Sequence, residues 1–230
     1  MKILFIRHGD PNYKDNCLTP LGHLQAEALA ERLAADGKKY DRIYTSNYGR
    51  AVETAEHTAQ KLGMPVTVLD FMHEISSGLP EMTKEEKREY SPWVAAEQLV
   101  RQGYVLAQYD FDGFKYWNEG RFRESHLRVT SGFDGWMKEL GYEREGLCYR
   151  CTAKNDETLL VFAHGGSISC LIAHFLGVNP FVATQYIRIN CTAINEIWFK
   201  GEEGELVIPE IRSVNDHSHM ENVVYEEPQE

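Results

Sequence analysis

Short apolar segments alternate with helical patterns along most of the chain, and this alternation limits the possible folds more than any other feature. Residues 2–6 form a strand pattern, and Thr19-Pro20 then reads as a helix N-cap followed by proline at the first helical position. The same order of strand, helix and strand recurs over 41–69. Such alternation is typical of a parallel sheet covered by helices. We therefore predict an α/β fold with three layers, α/β/α, and a mostly parallel central sheet.

The second half of the chain resumes this pattern. A helical segment at 123–140 precedes the strand pattern "ETLLVFA", which runs into His-Gly-Gly and a second apolar helix. Residues 191–199 and 205–211 are predicted to be strands around a hairpin turn, "KGEEGE". The acidic, polar residues 213–230 are predicted to be a mobile tail.

Between about 78 and 123 the alternation stops, and aromatic and charged residues dominate. Thr83 and Glu86 have the spacing of a capping box, and Ser91-Pro92 should kink or break the helix that follows. We predict a cap-like helical and aromatic insertion over the C-terminal ends of the strands, within one domain spanning 1–230. The alternative is a peripheral helical segment with no role in binding.

The charge and apolar content of the chain restrict its partners. A formal net charge of -11 over 230 residues argues against general binding of nucleic acid or anionic membranes, because polyanions would be repelled. No apolar run is long enough for a signal-peptide core or a membrane span, so we predict a cytoplasmic location. An anionic substrate would need a local positive pocket. The oligomeric state is not predicted.

The five cysteines are an odd number spread along the chain, which favours reduced thiols over a disulfide framework. Cys148 and Cys151 form a C-x-x-C pair, but a zinc site needs two further ligands. His217 and His219 are the only loose candidates for those ligands. We therefore predict structural or incidental thiols and no metal site.

Two predicted strands end alike, in a histidine followed by glycine. His8-Gly9 follows the first strand and His164-Gly165-Gly166 follows a later one. Ligands of open parallel sheets bind at the carboxyl ends of the strands, so the two histidines could face one another there. A single histidine in this position is usually solvated or satisfied in the core, but two in the same context favour a functional site.

Two features of this region favour a bound phosphate. The helix after Gly166 would present free N–H groups and the positive end of its dipole to an anion. Arg50 lies in the first turn of a predicted helix, where a cation opposes the dipole. Arg7 and Arg50 could together clamp one phosphoryl group. The alternative is that Arg50 forms a weak surface pair with a carboxylate such as Glu53.

The order of these residues resembles the histidine phosphatase superfamily, in its phosphoglycerate-mutase-like branch. The resemblance covers about 1–76 and 120–195. It is carried by Arg7-His8-Gly9, Leu18-Thr19-Pro20-Leu21-Gly22 with Gln25-Ala26, Thr45-Ser46 with Arg50 and Thr54, Glu74, and His164-Gly165-Gly166. Glu124-Ser125 and Asn190 match with less specificity.

The resemblance implies a covalent mechanism without metal or other cofactor. His8 would be the nucleophile and form a phosphohistidine, His164 would stabilise the phosphoryl oxygens, and Glu74 would be the general acid. The phosphate-binding residues would be Arg7, Arg50 and Gly165. The possible substrate contacts are Asp10, Asn12, Glu124 and Asn190; Glu124 is also a reserve acid, and Asp10 could instead stabilise a turn before Pro11.

Three functions are compatible with such a pocket. The glycolytic mutases carry a serine and a tryptophan-asparagine pair where this chain has Asp10-Pro11-Asn12-Tyr13, which favours a phosphomonoesterase acting on a small soluble phosphate ester. The alternatives are a phosphoglycerate-type mutase and a non-catalytic phosphate-binding protein. The physiological substrate is not predicted.

Overall fold

The computed structural model describes residues 1–221 and contains a six-stranded central sheet. Its strands are β1 Lys2–Arg7, β4 Arg42–Thr45, β5 Val66–Val68, β8 Thr158–Ala163, β9 Ile194–Trp198 and β11 Glu210–Asp216. They lie in the order β11-β9-β1-β8-β4-β5. The strands β1, β8, β4 and β5 are parallel to one another, whereas β9 and β11 are antiparallel to their neighbours. The predicted mostly parallel sheet is confirmed.

The remaining strands of residues 1–221 form two smaller sheets. One is a two-stranded sheet of β2 Pro11–Asn12 and β3 Cys17–Leu18. The other has three strands, β6 Tyr142–Glu145, β7 Cys148–Cys151 and β10 Leu206–Val207, in the order β10-β7-β6. The predicted hairpin of 191–199 with 205–211 is therefore only partly present. β10 pairs with β7, and β11 is the strand that pairs with β9.

Helices cover both faces of the central sheet. They are α1 Pro20–Ala35, α2 Gly49–Leu62, α3 Lys84–Glu89, α4 Pro92–Arg101, α5 Lys115–Asn118, α6 Phe122–Glu139, α7 Gly165–Leu176 and α8 Pro180–Tyr186. On one face, Leu29 and Ala55 of α1 and α2 pack against Leu160. On the other, Phe133 of α6 and Leu171 of α7 belong to the larger apolar cluster. The three-layer α/β/α prediction is confirmed. None of the helices in residues 1–221 is long and apolar enough to cross a bilayer.

The insertion consists of short helices, divided where the sequence predicts. Thr83 and Glu86 form a complete capping box, and the helix pattern is interrupted between α3, which ends at Glu89, and α4, which begins at Pro92. Phe111 stacks on Phe181 of α8 with a centroid distance of 4.7 Å, so the insertion is anchored on α8 by buried aromatic rings.

Residues 213–221 differ from the predicted mobile tail. β11 continues to Asp216 and is followed by a short 3-10 helix at Ser218–Met220. The Arg32 guanidinium pairs with both carboxylate oxygens of Asp216, and the His219 ring lies 2.9 Å from the Thr192 hydroxyl. The residues of this edge strand are exposed or half-buried, so most of them are polar. The sequence therefore gives no apolar alternation that would predict a strand here. Residues 222–230 of the predicted tail lie outside the described residues.

The five cysteines are free thiols, and Cys148 and Cys151 lie three positions apart on β7, so their side chains point to opposite faces of that strand. Within residues 1–221 no three histidine, cysteine or acidic side chains form a group that could hold a metal ion.

Two partly buried histidines, His126 and His219, make the stability of the fold sensitive to acid. Burial lowers the pKa of His126 and of His219 to about 4. Between pH 6.5 and 4 the unfolded chain binds protons at these sites while the folded chain does not, so the free energy of unfolding falls as the pH is lowered through this range. We expect His126 to contribute about 2 kcal/mol to the loss at pH 4.5 and His219 less, because solvent screens the more exposed ring.

Urea unfolding of the wild type and of His126→Phe at pH 7 and pH 4.5 measures this effect. The variant should lose less stability between the two pH values, since one titrating group has been removed. Equal losses in the two proteins would show that His126 is not buried as a neutral ring.

Candidate active site

The two predicted histidines are brought together by adjacent parallel strands. β1 pairs with β8 so that Arg7 lies opposite Ala163, and a histidine directly follows the last residue of each strand. The ring centroids of His8 and His164 lie 5.1 Å apart, and both side chains are almost completely buried. Ser46 follows β4, on the other side of β8, so three neighbouring strands deliver polar side chains to one point.

His8 is held as a neutral ring with one nitrogen lone pair directed away from the backbone. Its Nδ1 lies 2.6 Å from the Gly9 carbonyl oxygen, which can only accept, so Nδ1 carries the proton. Burial lowers the pKa of His8 to about 3, assisted by the charges of Arg7 and Arg50. Nε2 therefore keeps its lone pair near neutral pH, as a nucleophile requires.

Arg50 contacts that lone pair from the first turn of α2. Its Nε donates to His8 Nε2 at 3.2 Å, and its Nη1 donates to Asn16 Oδ1 at 2.6 Å. The guanidinium also lies over the rings of Tyr48 and Tyr13, at 5.0 and 5.4 Å from their centroids. Within residues 1–221 Arg50 pairs with no carboxylate, so the weak surface pair considered for it is not formed.

Thr54 ties the first turn of α2 to the nucleophile loop. Its hydroxyl donates to the Arg50 carbonyl at 2.6 Å and accepts the Gly9 N–H at 3.0 Å. Gly9 also lies so close to Gly22 that a Cβ on it would come within 2.6 Å of the Gly22 carbonyl oxygen. The loop after β1 is thereby fixed from two sides, and the position of His8 with it.

Two buried nitrogens near His8 have no hydrogen-bond acceptor among residues 1–221: Arg7 Nε and His164 Nδ1. Arg7 Nη1 donates to the Ile189 carbonyl at 2.6 Å, which fixes the guanidinium. His164 Nε2 lies 2.7 Å from the Ser46 hydroxyl, which can donate to it and leave the proton on Nδ1. An anion with several oxygens would satisfy both nitrogens.

Glu74 lies against the N-terminus of α7. Its Oε1 accepts the Ile75 N–H at 2.9 Å, and burial raises the pKa of the carboxyl group despite the nearby Arg50. A Cβ on Gly166 would come within 2.5 Å of Oε1, so only glycine lets the carboxyl group take this position. A carboxyl group with a raised pKa can hold a proton near neutral pH and give it to a leaving group.

These residues adjoin a cavity of about 610 Å³. Arg7, Glu74 and Gly165 line it, whereas His8, Arg50 and His164 are buried next to it. Sequence patterns did not predict the remaining polar and aromatic lining, which includes Tyr13, Trp93 and Glu97 of α4, Gln185 of α8 and Arg188. Trp93 and Glu97 place α4, which lies within the predicted insertion, in the wall of this cavity.

Two candidates in the loop after β1 do not line this cavity. The Asp10 carboxylate accepts a hydrogen bond from the Thr19 hydroxyl at 2.7 Å, which stabilises the start of α1. The Asn12 amide donates to Asp15 at 2.8 Å in an exposed turn. The structure gives both side chains a role within the loop, and their contact with substrate stays a prediction.

Glu124 and Asn190 also lie outside the cavity lining. Glu124 is exposed and pairs with Arg121 at 3.2 Å. Asn190 lies 3.3 Å from the His217 ring, and its backbone N–H donates to Asn215. Asn190 thus connects the segment next to Arg7 to the C-terminal strand, and neither residue contacts the cavity in this structure.

A neutral imidazole lone pair, two arginines, unpaired donors and a carboxyl group with a raised pKa lie together here, and phosphoryl transfer can use groups of these kinds. The sequence profile of the histidine phosphatase superfamily (branch 1) matches residues 3–211, and the chain belongs to this superfamily. The resemblance seen in the sequence is confirmed.

The chain is similar to a mutase in sequence and to phosphatases in structure. The 2,3-bisphosphoglycerate-dependent phosphoglycerate mutase of Bartonella quintana is 28% identical over 191 residues, covering 77% of this chain and 82% of the mutase. A phosphoserine phosphatase of Entamoeba histolytica has a TM-score of 0.62 at 22% identity, covering 95% of this chain and 98% of that one. A mycobacterial glucosyl-3-phosphoglycerate phosphatase has a TM-score of 0.64 at 19% identity, covering 93% and 98%. The structural similarities show a shared fold.

Arg50→Lys tests the clamp. Lysine is a point charge that cannot donate both to His8 and to a phosphoryl oxygen in the fixed geometry of a guanidinium. We expect kcat/KM for phosphate release to fall by about 10²- to 10³-fold, as when one preorganised donor is lost from a charged transition state. Arg42→Lys is the control, since Arg42 pairs with Glu157 at the opposite end of β4. Equal kcat/KM for Arg50→Lys and Arg42→Lys would show that Arg50 does not bind the transferred phosphoryl group.

Proposed function

We propose that this protein is a phosphomonoesterase that forms a phosphohistidine at His8. The observation that supports it best is the fixed tautomer of that ring, with Nδ1 donating to Gly9 and Nε2 left as a buried lone pair. The paired arginines and the raised pKa of Glu74 supply the other two requirements, a site for the phosphoryl oxygens and a source of one proton.

In the first step, the Nε2 lone pair attacks phosphorus and the bond from phosphorus to the ester oxygen breaks. Arg50 must give up its 3.2 Å contact with Nε2 and turn its donors to the phosphoryl oxygens, together with Arg7 and His164. Glu74 gives its proton to the leaving oxygen, so the product leaves as an alcohol.

In the second step, water attacks the phosphohistidine. Glu74, now a carboxylate, takes one proton from this water, and the bond between Nε2 and phosphorus breaks. Inorganic phosphate leaves and His8 recovers its lone pair. Because the cavity beside Glu74 is large enough for several waters, it supports hydrolysis over storage of the phosphoryl group.

The charges of the cavity also favour a phosphatase over a mutase. A 2,3-bisphosphoglycerate mutase must hold a second phosphate and a carboxylate as well as the transferred group. Among residues 1–221, the cavity lining has one cation besides Arg7, which is Arg188, and it has two acidic residues, Glu74 and Glu97. Such a surface suits one phosphoryl group with a small leaving group that contacts Trp93 or Arg188.

A direct assay separates the two activities. With 3-phosphoglycerate and a priming amount of 2,3-bisphosphoglycerate, we expect release of inorganic phosphate to exceed formation of 2-phosphoglycerate, or neither ester to react. Faster interconversion than release would show a mutase. A phosphate-release screen over sugar phosphates, nucleotides, phosphoamino acids and aryl phosphates, with His8→Ala as the blank, then identifies the substrate class. No release from any ester would favour a phosphate-binding protein.

A further inference from the structure

Arg128 of α6 binds the backbone of the loop that carries Glu74. Its Nη1 donates to the Phe71 carbonyl at 2.5 Å and the His73 carbonyl at 3.2 Å. Its Nη2 donates to the carbonyls of His73 at 3.2 Å and Glu74 at 3.3 Å. One guanidinium thus joins three carbonyl groups within four residues, ending on the candidate acid.

A second side chain of the same helix fixes the other end of the loop. Ser125, one turn before Arg128, accepts the Ser76 N–H at 2.9 Å and donates to the Ser76 carbonyl at 3.1 Å. Apart from the short 3-10 helix at Asp70–Met72, residues 69–76 have no regular secondary structure. The position of Glu74 therefore depends on side-chain bonds from α6.

The cost of burying Arg128 argues that this arrangement has a purpose beyond stability. Burial lowers the pKa of the guanidinium, and within residues 1–221 Arg128 forms no ion pair with a carboxylate. Arg128 is half-buried, and all its hydrogen bonds go to neutral carbonyls, so ordering this charge costs solvation free energy that an apolar side chain on α6 would not lose. Arg128 does not line the cavity, so it can act on the reaction only through the loop.

We propose that Arg128 is a positioning residue that holds the Glu74 carboxyl group in place to protonate the leaving group. This inference rests on the proposed phosphomonoesterase function. Its consequence is a loss of activity that depends on the substrate. Without Arg128, kcat/KM should fall for esters with basic leaving groups and should change little for esters whose leaving groups need no proton.

The test is kcat/KM for 4-nitrophenyl, 4-chlorophenyl and phenyl phosphate, which have similar size and increasingly basic leaving groups. This ratio reports the first irreversible step, transfer to His8. In Arg128→Met we expect a fall of about 10²-fold for phenyl phosphate, as for a group misplaced by about 1 Å, and of less than 10-fold for 4-nitrophenyl phosphate. Glu74→Gln should show the same steepened dependence, and Arg128→Lys should recover part of the loss.

The control is Arg123→Met, an exposed arginine of the same helix, which should match the wild type across the series. Equal losses for all three esters in Arg128→Met, or no loss, would overturn the proposal. If that variant does not fold, the test is made with Ser125→Ala and Arg128→Lys, whose kcat/KM should depend more steeply on the basicity of the leaving group than that of the wild type. Failure of the proposed function is distinguishable, because then the wild type would hydrolyse none of the esters or Glu74→Gln would lose equally for all three esters.

Discussion

Replacing His8 by asparagine is expected to lower kcat/KM for phosphate release by about 10⁴-fold or more, the scale of loss when a covalent nucleophile is removed. The asparagine amide can keep the hydrogen bond to the Gly9 carbonyl, so the loop should stay folded while the Nε2 lone pair is lost. Arg7, Arg50 and His164 remain in the variant and would still bind phosphate. We therefore expect the dissociation constant of inorganic phosphate from the variant to be similar to the inhibition constant of phosphate for the wild type.

His23→Asn is the matched control, because His23 is a half-exposed histidine of α1 that lies 3.1 Å from His57 and does not line the cavity. It should retain wild-type kcat/KM. Activity of His8→Asn within 10-fold of the control would mean that another group attacks phosphorus.

The second large effect is expected in Glu74→Gln. Glutamine keeps the shape of the side chain and can accept the Ile75 N–H, but it has no proton to give to an alkoxide. General acid catalysis contributes about 10²- to 10⁴-fold, and we expect a loss in this range of kcat/KM for esters of ordinary alcohols.

The pH dependence identifies Glu74 independently of the size of this loss. A general acid must be protonated, so wild-type kcat/KM should fall as the pH rises through the raised pKa of Glu74. The nucleophile must be neutral, and since the pKa of His8 is about 3, its titration should produce no fall between pH 4 and 7. With the same substrate, Glu74→Gln should lose the fall on the basic side. A variant profile that keeps it would assign that fall to another group.

The strand ends were predictable because their signal is local. Four apolar residues followed by Arg7-His8-Gly9, and a second strand before His164, identify two ends of parallel strands, and the geometry of a sheet places such ends at one edge. Arg50 was predictable for a similar reason, because a cation in the first turn of a helix opposes the dipole and needs another partner.

The supporting contacts were not predictable, because they join residues distant in sequence through backbone groups. Arg128 binds carbonyls more than fifty positions earlier, and nothing in "ESHLRV" shows that this arginine turns toward them and is half-buried. Ser46 reads as a helix cap, yet α2 begins after Tyr48 and the hydroxyl lies instead 2.7 Å from His164. Trp93 and Arg188 reach the cavity only through the packing of α4 beside α8.

The measurement that tests the account most directly is rapid quenching of the enzyme during turnover of a reactive phosphate ester, followed by peptide mapping under basic conditions. We predict a phosphoryl group on His8 that survives base, is lost in acid, and is absent from His8→Asn. Phosphate release at the wild-type rate with no phosphorylated His8, or with the label on another residue, would contradict the proposed mechanism.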